Sequence, residues 1–161
     1  MDKKGTILIV DDIETNRVIL NEVLIEEYDV LECDNGFDAI ILAQKHSNKI
    51  VMVLLDIHMP EMDGYEVLQT LKNMHTVAHI PVIFISASGL DENEEKGLLA
   101  GAVDYINKPF NPFVVLCRIN NQYELSKYRL QLEQTISHQT TRLLNVRDTI
   151  LDTITTMVEH R

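Results

Sequence analysis

The stretch Ile50-Val51-Met52-Val53-Leu54-Leu55-Asp56 decides the fold. Six apolar residues lead without a break into one carboxylate, and so short a run predicts a strand buried on both faces of a parallel sheet. In open sheets of this kind, ligands bind beyond the carboxyl ends of the strands. Asp56 is followed by a segment of turn formers that ends at Gly64. We therefore expect the strand to present Asp56 as a reactive carboxylate at the start of a loop.

Short apolar runs alternate with amphipathic segments along the first two thirds of the chain. The other predicted strands are 6–10, 28–33, 80–87 and 104–107, and the predicted helices are 13–27, 37–45, 64–73, 91–100 and one that begins at Pro112. This alternation predicts an α/β fold, a doubly wound five-stranded parallel sheet in the order 2-1-3-4-5. That order places strands one and three side by side, so Asp11, Asp12 and Asp56 should meet at their carboxyl ends.

Charge and composition exclude several classes of protein. The net charge is −11, with 8 basic and 20 acidic residues in 1–112 but 6 and 5 in 113–161. No basic stripe marks a nucleic-acid binder, and no apolar run approaches the roughly 20 residues that span a membrane. Nothing resembles a signal peptide. Cys33 and Cys117 lack metal-ligand spacing, so we expect two reduced, partly buried thiols in a cytoplasmic protein.

Three carboxylates in one crevice repel each other unless a cation joins them. Hard oxygen ligands of this kind suit Mg²⁺. A cation would keep Asp56 ionised and able to attack phosphorus, giving an aspartyl-phosphate. Lys108, at the end of strand five, is placed to pair with a phosphoryl oxygen, and the Ser86 hydroxyl, at the end of strand four, could donate to another.

Each of these residues also has an ordinary structural interpretation. Asp11 alone reads as a helix N-cap, Ser86 as a strand-end hydroxyl and Lys108 as a solvated surface charge. Tyr105 alone reads as a half-buried sheet residue. Their shared position, at or beside the carboxyl ends of different strands, favours a functional site instead.

These residues also form a recognisable set of motifs. The set is Asp11-Asp12, Asp56 with Met59-Pro60-x-Met62-Asp63-Gly64, Ser86-Ala87, Tyr105 and Lys108-Pro109-Phe110. It resembles the receiver domain of two-component response regulators, a flavodoxin-like fold, over residues 5 to about 120. The resemblance implies that Asp56 is the phospho-acceptor. It also implies that Asp11 and Asp12 hold Mg²⁺ together with Asp56 and the backbone carbonyl of His58.

The resemblance implies further roles. Ser86 and Tyr105 would be a switch pair, the hydroxyl moving to the phosphoryl group and the ring rotating inward. The Lys108-Pro109 peptide bond is expected to be cis, which is uncommon even before proline. The His58 side chain either tunes dephosphorylation, as in the family, or is a surface loop histidine, and the two interpretations stay open.

The last third of the chain predicts one long helix, because no Gly or Pro follows Pro112. One heptad position carries Ile136, Leu143, Ile150 and Met157, with Arg129 ahead of them; the other carries Leu125, Leu132, Gln139, Val146 and Thr153. This a/d pattern predicts a parallel two-stranded coiled coil and a homodimer. We expect a receiver domain over 1–122 and a coiled-coil linker over 123–161. The alternative is an αα-hairpin that folds back at 137–141.

The segment from Asp148 to Arg161 is similar to the linker that enters HD-GYP cyclic di-GMP phosphodiesterase domains. The HD and GYP residues themselves are absent, so we expect the output domain to lie outside this sequence. The chain itself would be no enzyme beyond its own phosphorylation and dephosphorylation.

Three functions follow as hypotheses. The first is a switch that takes a phosphoryl group from a sensor histidine kinase or phosphotransfer protein and signals through the coiled coil to the output domain. The second is a standalone receiver or phosphorelay module whose coiled coil is itself the output. The third is a Mg²⁺-dependent phosphatase-like enzyme, which the histidine at position 58 disfavours because such an enzyme needs a general-acid carboxylate there.

Overall fold

The computed structural model describes residues 2–87, Gly97 and 99–159. The elements are β1 (Thr6–Val10), α1 (Glu14–Leu24), β2 (Asp29–Cys33), α2 (Gly36–Lys45), β3 (Ile50–Asp56), α3 (Gly64–Asn73), β4 (Val82–Ser86), β5 (Asp104–Asn107) and α4 (Pro112–Glu159). The chain divides into two compact units, one up to Tyr123 and one from Glu124. Most of the helix predicted over 91–100 lies outside the described residues.

The five strands form one parallel sheet in the order β2-β1-β3-β4-β5, as predicted. The register aligns their carboxyl ends, since Val10 lies beside Leu55 and Asp56 lies beside Ile85. Residues that follow β1, β3 and β4 are therefore neighbours at one edge of the sheet.

Both faces of the sheet are covered, which explains the unbroken apolar sequences of β1 and β3. On one face, Val53 and Leu55 belong to a core with α2 and α3. On the other, Leu54 belongs to a core with α1 and the first turns of α4. Because consecutive side chains of a strand point to opposite faces, every position in such a strand must be apolar.

Two elements, α1 and β4, are shorter than predicted by more than one residue. The Ile80 amide donates to the Val77 carbonyl at 3.0 Å, so the chain is still turning there and β4 begins only after Pro81. Helix α1 ends at Leu24 instead of residue 27, and its Val18 is 47% exposed. Only Leu20 and Leu24 of α1 are buried.

The two cysteines differ more than expected. Cys33, at the end of β2, is buried, and this burial raises the pKa of its thiol to about 12. Cys117 is exposed on α4, so the expectation of a partly buried thiol was wrong there. Its position on the outward side of the helix is the reason, since the buried residues of that stretch are Val115 and Ile119.

Helix α4 continues without interruption from Pro112 to Glu159, so the αα-hairpin alternative is wrong. Its start is capped by Asn111, whose side-chain oxygen accepts from the Phe113 amide at 3.1 Å. A tyrosine hydroxyl from the first unit also holds it, since Tyr28 donates to the Asn120 side-chain oxygen at 2.7 Å. No helix in the described part of the chain combines the length and apolar character needed to cross a membrane.

Candidate functional site

Three carboxylates meet at the carboxyl edge of β1 and β3. One oxygen from each of Asp11, Asp12 and Asp56 lies within 4.8 Å of the others. Asp11 and Asp56 are buried, whereas Asp12 is exposed. The cluster predicted from the sequence is thus brought together by the pairing of the two central strands.

Lys108 lies between the two buried acids. Its Nζ atom is 2.9 Å from Asp11 Oδ2 and 3.2 Å from Asp56 Oδ2. The Lys108 amide donates to the Ser86 carbonyl at 2.7 Å, which fixes the end of β5 against β4. The Lys108-Pro109 peptide bond is cis, as expected. The sheet edge thereby directs one ammonium group at two carboxylates.

Asp11 is held by donors that the sequence did not single out. The Asn16 side-chain amide lies 3.1 Å from both Asp11 oxygens, and the Ile13 amide donates to Oδ1 at 2.9 Å. Arg17 donates to the Asp11 backbone carbonyl at 2.8 Å. Asp11 is not the N-cap of α1, since that position belongs to Ile13. Asn16 could be assigned only once the first turn of α1 was known.

Burial and charge act together on the Asp56 carboxyl. Burial raises its pKa, the neighbouring Asp11 charge raises it further, and Lys108 opposes both. For Lys108, burial alone would lower the pKa, but its hydrogen bond to Asp11 and the charge of Asp56 outweigh burial and raise it. Three carboxylates thus lie close together, and the Lys108 ammonium group contacts two of them. The remaining negative charge and the all-oxygen donor set fit a hard divalent cation such as Mg²⁺.

The loop after Asp56 folds tightly back on the strand. The Gly64 amide donates to the Ile57 carbonyl at 2.9 Å, and a Cβ at Gly64 would lie 2.5 Å from the Asp56 carbonyl oxygen. Helix α3 begins there with a capping box, in which Asp63 and Glu66 each accept from the other's backbone amide. Only glycine permits this approach, so the loop geometry depends on it.

Within this loop, His58 contacts the Asp56 carboxylate through its backbone amide. Its amide donates to Asp56 Oδ1 at 3.3 Å, while its side chain is exposed. Met59 is buried and Met62 packs against the same core. The backbone of the loop thus lies against the acid cluster.

The predicted switch residues lie on the last two strands. Ser86 ends β4 and is buried, and Tyr105 on β5 is partly buried. The Arg118 guanidinium of α4 lies 5.4 Å from the centre of the Tyr105 ring, and Arg118 also pairs with Asp104 at 2.5 Å. Arg118 was not found by sequence reasoning, because it follows Tyr105 by more than a dozen residues and meets it only in the fold.

Comparison with known proteins identifies the family. The profile of the response regulator receiver domain matches residues 7–120. The chain therefore belongs to the receiver domain family of two-component response regulators. Receiver domains bind Mg²⁺ at an acidic site, and the corresponding cluster of aspartates is present here.

Two curated relatives and one solved structure illustrate the likeness. A probable cyclic di-GMP phosphodiesterase of Vibrio cholerae is 35% identical over 97% of this chain and 36% of its own length. The probable transcriptional regulator ycf29 of Pyropia yezoensis is 31% identical over 92% of this chain and 70% of its own. A putative response regulator from Chloroflexus aurantiacus has a TM-score of 0.70 at 30% identity, covering 74% of this chain and 98% of that one. The chain spans about a third of the Vibrio cholerae protein.

Proposed function

We propose that this chain is a phosphorylation-dependent switch that accepts a phosphoryl group on Asp56 from a histidine kinase or phosphotransfer protein. The observation that carries this proposal is the contact of one Lys108 ammonium group with both buried carboxylates, 2.9 and 3.2 Å away. Such an arrangement keeps Asp56 oriented and leaves a cationic group beside any phosphoryl oxygen that arrives.

The transfer is an in-line exchange at phosphorus. A carboxylate oxygen of Asp56 forms a bond to phosphorus, the bond from phosphorus to the donor's imidazole nitrogen breaks, and the electron pair leaves with the imidazole. Lys108 then pairs with a phosphoryl oxygen, and the Ser86 hydroxyl donates to another. Lys108 needs little movement, since it already contacts Asp56.

Four groups would hold Mg²⁺, namely the carboxylates of Asp11, Asp12 and Asp56 and the backbone carbonyl of His58. When bound, the ion would offset the negative charge of the carboxylates and of the incoming phosphoryl group. The fit is supported by the oxygen-only donor set within 4.8 Å and by the raised pKa of Asp56, which burial and the Asp11 charge produce. Asn16 would hold the Asp11 carboxylate in place when the ion and the phosphoryl group arrive.

We propose that the response reaches α4 through the switch pair Ser86 and Tyr105. Phosphorylation adds up to two negative charges and three acceptor oxygens at Asp56. When the Ser86 hydroxyl moves toward them, the Tyr105 ring can follow it inward. That ring is in contact with Arg118 on α4, so its movement alters a contact of the helix.

The output is proposed to be a dimer through α4, with a receiver domain over 1–122 and a coiled-coil linker over 123–161 that leads to a cyclic di-GMP phosphodiesterase domain. Support comes from the Vibrio cholerae relative, whose likeness extends over 97% of this chain and therefore includes α4. The alternative is a standalone module whose coiled coil is itself the output. The longer reading frame would separate the two.

The proposal is tested by phosphoryl uptake from acetyl phosphate, followed by intact mass and peptide mapping. We expect one phosphoryl group per chain, on Asp56, with Mg²⁺, and none with EDTA or in Asp56→Asn. The matched control is Asp29→Asn, which removes an exposed carboxylate paired with Lys3 and should label normally. Labelling of Asp56→Asn to the wild-type level, or turnover of small phosphoesters, would contradict the proposal.

A further inference from the structure

Helix α4 carries more exposed apolar surface in its last third than one coiled-coil seam uses. The first seam is the predicted a/d set, which between 143 and 158 comprises Leu143, Val146, Ile150, Thr153 and Met157. A second set follows one residue later with the same heptad spacing, and we name it the second seam: Leu144, Arg147, Leu151, Ile154 and Val158. The apolar members of both sets are 45 to 71% exposed.

The second seam exists only in the last third of the helix. The positions that would continue it toward the receiver are Ser126, Leu130, Glu133, Ser137 and Thr140, of which only one is apolar. At the corresponding first-seam positions, three residues are apolar, Leu125, Leu132 and Ile136, and two are polar, Arg129 and Gln139. Two helices can therefore associate in one way between 124 and 142, but in two ways between 143 and 158.

Helix geometry relates the two seams. Successive residues are about 100° apart around an α-helix, so the second seam faces about 100° away from the first. A straight helix drifts about 20° per heptad relative to a 3.5-residue repeat, which over the roughly five heptads of 124–159 amounts to about 100°. In a supercoiled pair of helices, the first seam therefore faces the partner helix along the whole length. In a straight pair, the first seam faces the partner at the start of the helix and the second seam faces it near the end.

The two seams are similar in apolar content. Each has four apolar residues and one polar residue between 143 and 158, and each polar side chain has a partner within its own helix. The Thr153 hydroxyl donates to the Thr149 carbonyl at 2.8 Å, and Arg147 pairs with Asp148 at 2.7 Å. Thr153 keeps its hydroxyl partner in either arrangement, and the long Arg147 side chain can carry its charged end past the seam into solvent. A small bias can then choose between the two faces.

A second copy of this chain is the occupant that these features fit. In a parallel pair, each heptad position faces its own counterpart. The first seam repeats at heptad spacing over more than three heptads, with seven apolar positions and three polar ones. Residues 124–159 hold 4 basic and 5 acidic side chains, so two copies of the helix repel each other little. Residues 1–112, by contrast, carry a large net negative charge.

We propose that residues 143–158 offer two alternative pairing faces to the same helix of a second copy, and that phosphorylation of Asp56 changes which face is buried. This inference rests on the proposed dimer and adds how that dimer would respond to phosphorylation. The change from one face to the other is a change between a supercoiled and a straighter pair, so it rotates whatever follows the helix.

Disulfide trapping tests this proposal. Ile150→Cys and Leu151→Cys occupy equivalent positions of the first and second seam, and Asp152→Cys, outside both, is the matched control. All three are made in Cys117→Ser, since Cys117 is exposed, while the buried Cys33 is kept. Each is oxidised with and without beryllofluoride and Mg²⁺. We expect both seam variants to form disulfide dimers faster than Asp152→Cys, with their ratio shifting by about fivefold or more on activation, as for a biased two-state element.

The outcomes are distinguishable. A Leu151→Cys rate equal to that of Asp152→Cys in both states, with Ile150→Cys trapped, would leave one seam and overturn the inference. Trapping of both at an unchanged ratio would also overturn it, because the seams would then belong to one static pair. Monomers by light scattering, with no variant trapped, would refute the proposed dimer itself and the inference with it. Phosphoryl uptake on Asp56 is measured separately and does not depend on either result.

Discussion

The receiver unit, which ends at Tyr123, and the helix from Glu124 onward contain the same apolar residue types. These residues are buried in the receiver unit and exposed on the helix. In the receiver unit, Ile7, Leu8 and Ile9 are fully buried because α1, α2, α3 and the start of α4 cover both faces of the sheet. In the described part of the second unit, residues 124–158, no side chain is buried. The receiver unit thus completes its core within one chain, whereas the helix needs a partner to bury its apolar residues.

The largest expected effect is loss of the proposed dimer when the first seam is charged. Ile136→Asp with Ile150→Asp places unpaired carboxylates at two core positions of the pair, which should weaken association more than about 100-fold. Light scattering at micromolar concentration should then report a monomer, with the receiver unit melting as before. Gln131→Asp with Asn145→Asp adds the same charges at the same spacing outside both seams and should remain a dimer. A dimer in both variants would mean that the chains associate elsewhere.

The next largest effect is expected at Lys108. Lys108→Met leaves two buried carboxylates without their cationic partner, which should cost the receiver unit on the order of 3 kcal/mol of unfolding free energy in EDTA. Urea denaturation measures this cost, and Mg²⁺ should recover part of it because a cation then faces the acids. Lys72→Met is the control, since Lys72 donates to the carbonyls of Ala78 and Ile80 away from the site. Equal recovery by Mg²⁺ in both variants would speak against a cation site at these aspartates.

A smaller effect is expected at Gly64. In Gly64→Ala, the new Cβ meets the Asp56 carbonyl oxygen at 2.5 Å, and the backbone must move, at a cost of about 1–3 kcal/mol. Phosphoryl uptake should slow as well, since the displaced backbone holds the acceptor. Gly36→Ala meets only the side chains of Val67 and Met62, which can adjust, and should cost less. If Gly36→Ala proved the more damaging in urea, the tight approach at Asp56 would not limit stability.

The smallest expected effect is a gain in folding stability when the charge on Asp56 is removed. Because burial and then the Asp11 charge raise the pKa of Asp56, the ionised carboxylate disfavours the folded state at neutral pH. The wild type should therefore gain stability in EDTA as the pH falls through the folded-state pKa of Asp56, until the ordinary carboxyl pKa of about 4 is passed. Asp56→Asn removes the charge and should raise Tm at neutral pH by a few degrees, with the difference shrinking in acid. Asp29→Asn should show no such gain, and a lower Tm for Asp56→Asn at neutral pH would contradict this account.

Much of the receiver unit followed from the sequence because its signals are local. Strand β3 and helix α3 begin and end where the apolar run and the amphipathic pattern predicted. The bounds of α1 and β4 were predicted wrongly. Such bounds depend on which carbonyl each backbone amide donates to, and the Ile80 amide, for example, donates to the Val77 carbonyl of a turn. The helix predicted over 91–100 lies largely outside the described residues and stays a prediction.

The residues of the functional site were likewise predicted only in part. Asp11, Asp12 and Asp56 could be placed together because parallel strands end at one edge of a sheet. Asn16 and Arg118 could not be found, since their partners Asp11 and Tyr105 are reached through the angle of a helix against the sheet. Local pattern fixes which strand carries a residue, but it does not fix which helix side chain reaches that residue.

The sequence alone determined the order of strands and helices, the acid cluster and the unbroken length of α4, because hydrophobic period and the absence of Gly and Pro act along the chain. Tertiary structure decided the contact of Lys108 with Asp11 and Asp56, the close approach of Gly64 to Asp56, and the burial of Cys33 but not Cys117. These depend on distances between segments far apart in sequence, which are set only when both faces of the sheet are packed.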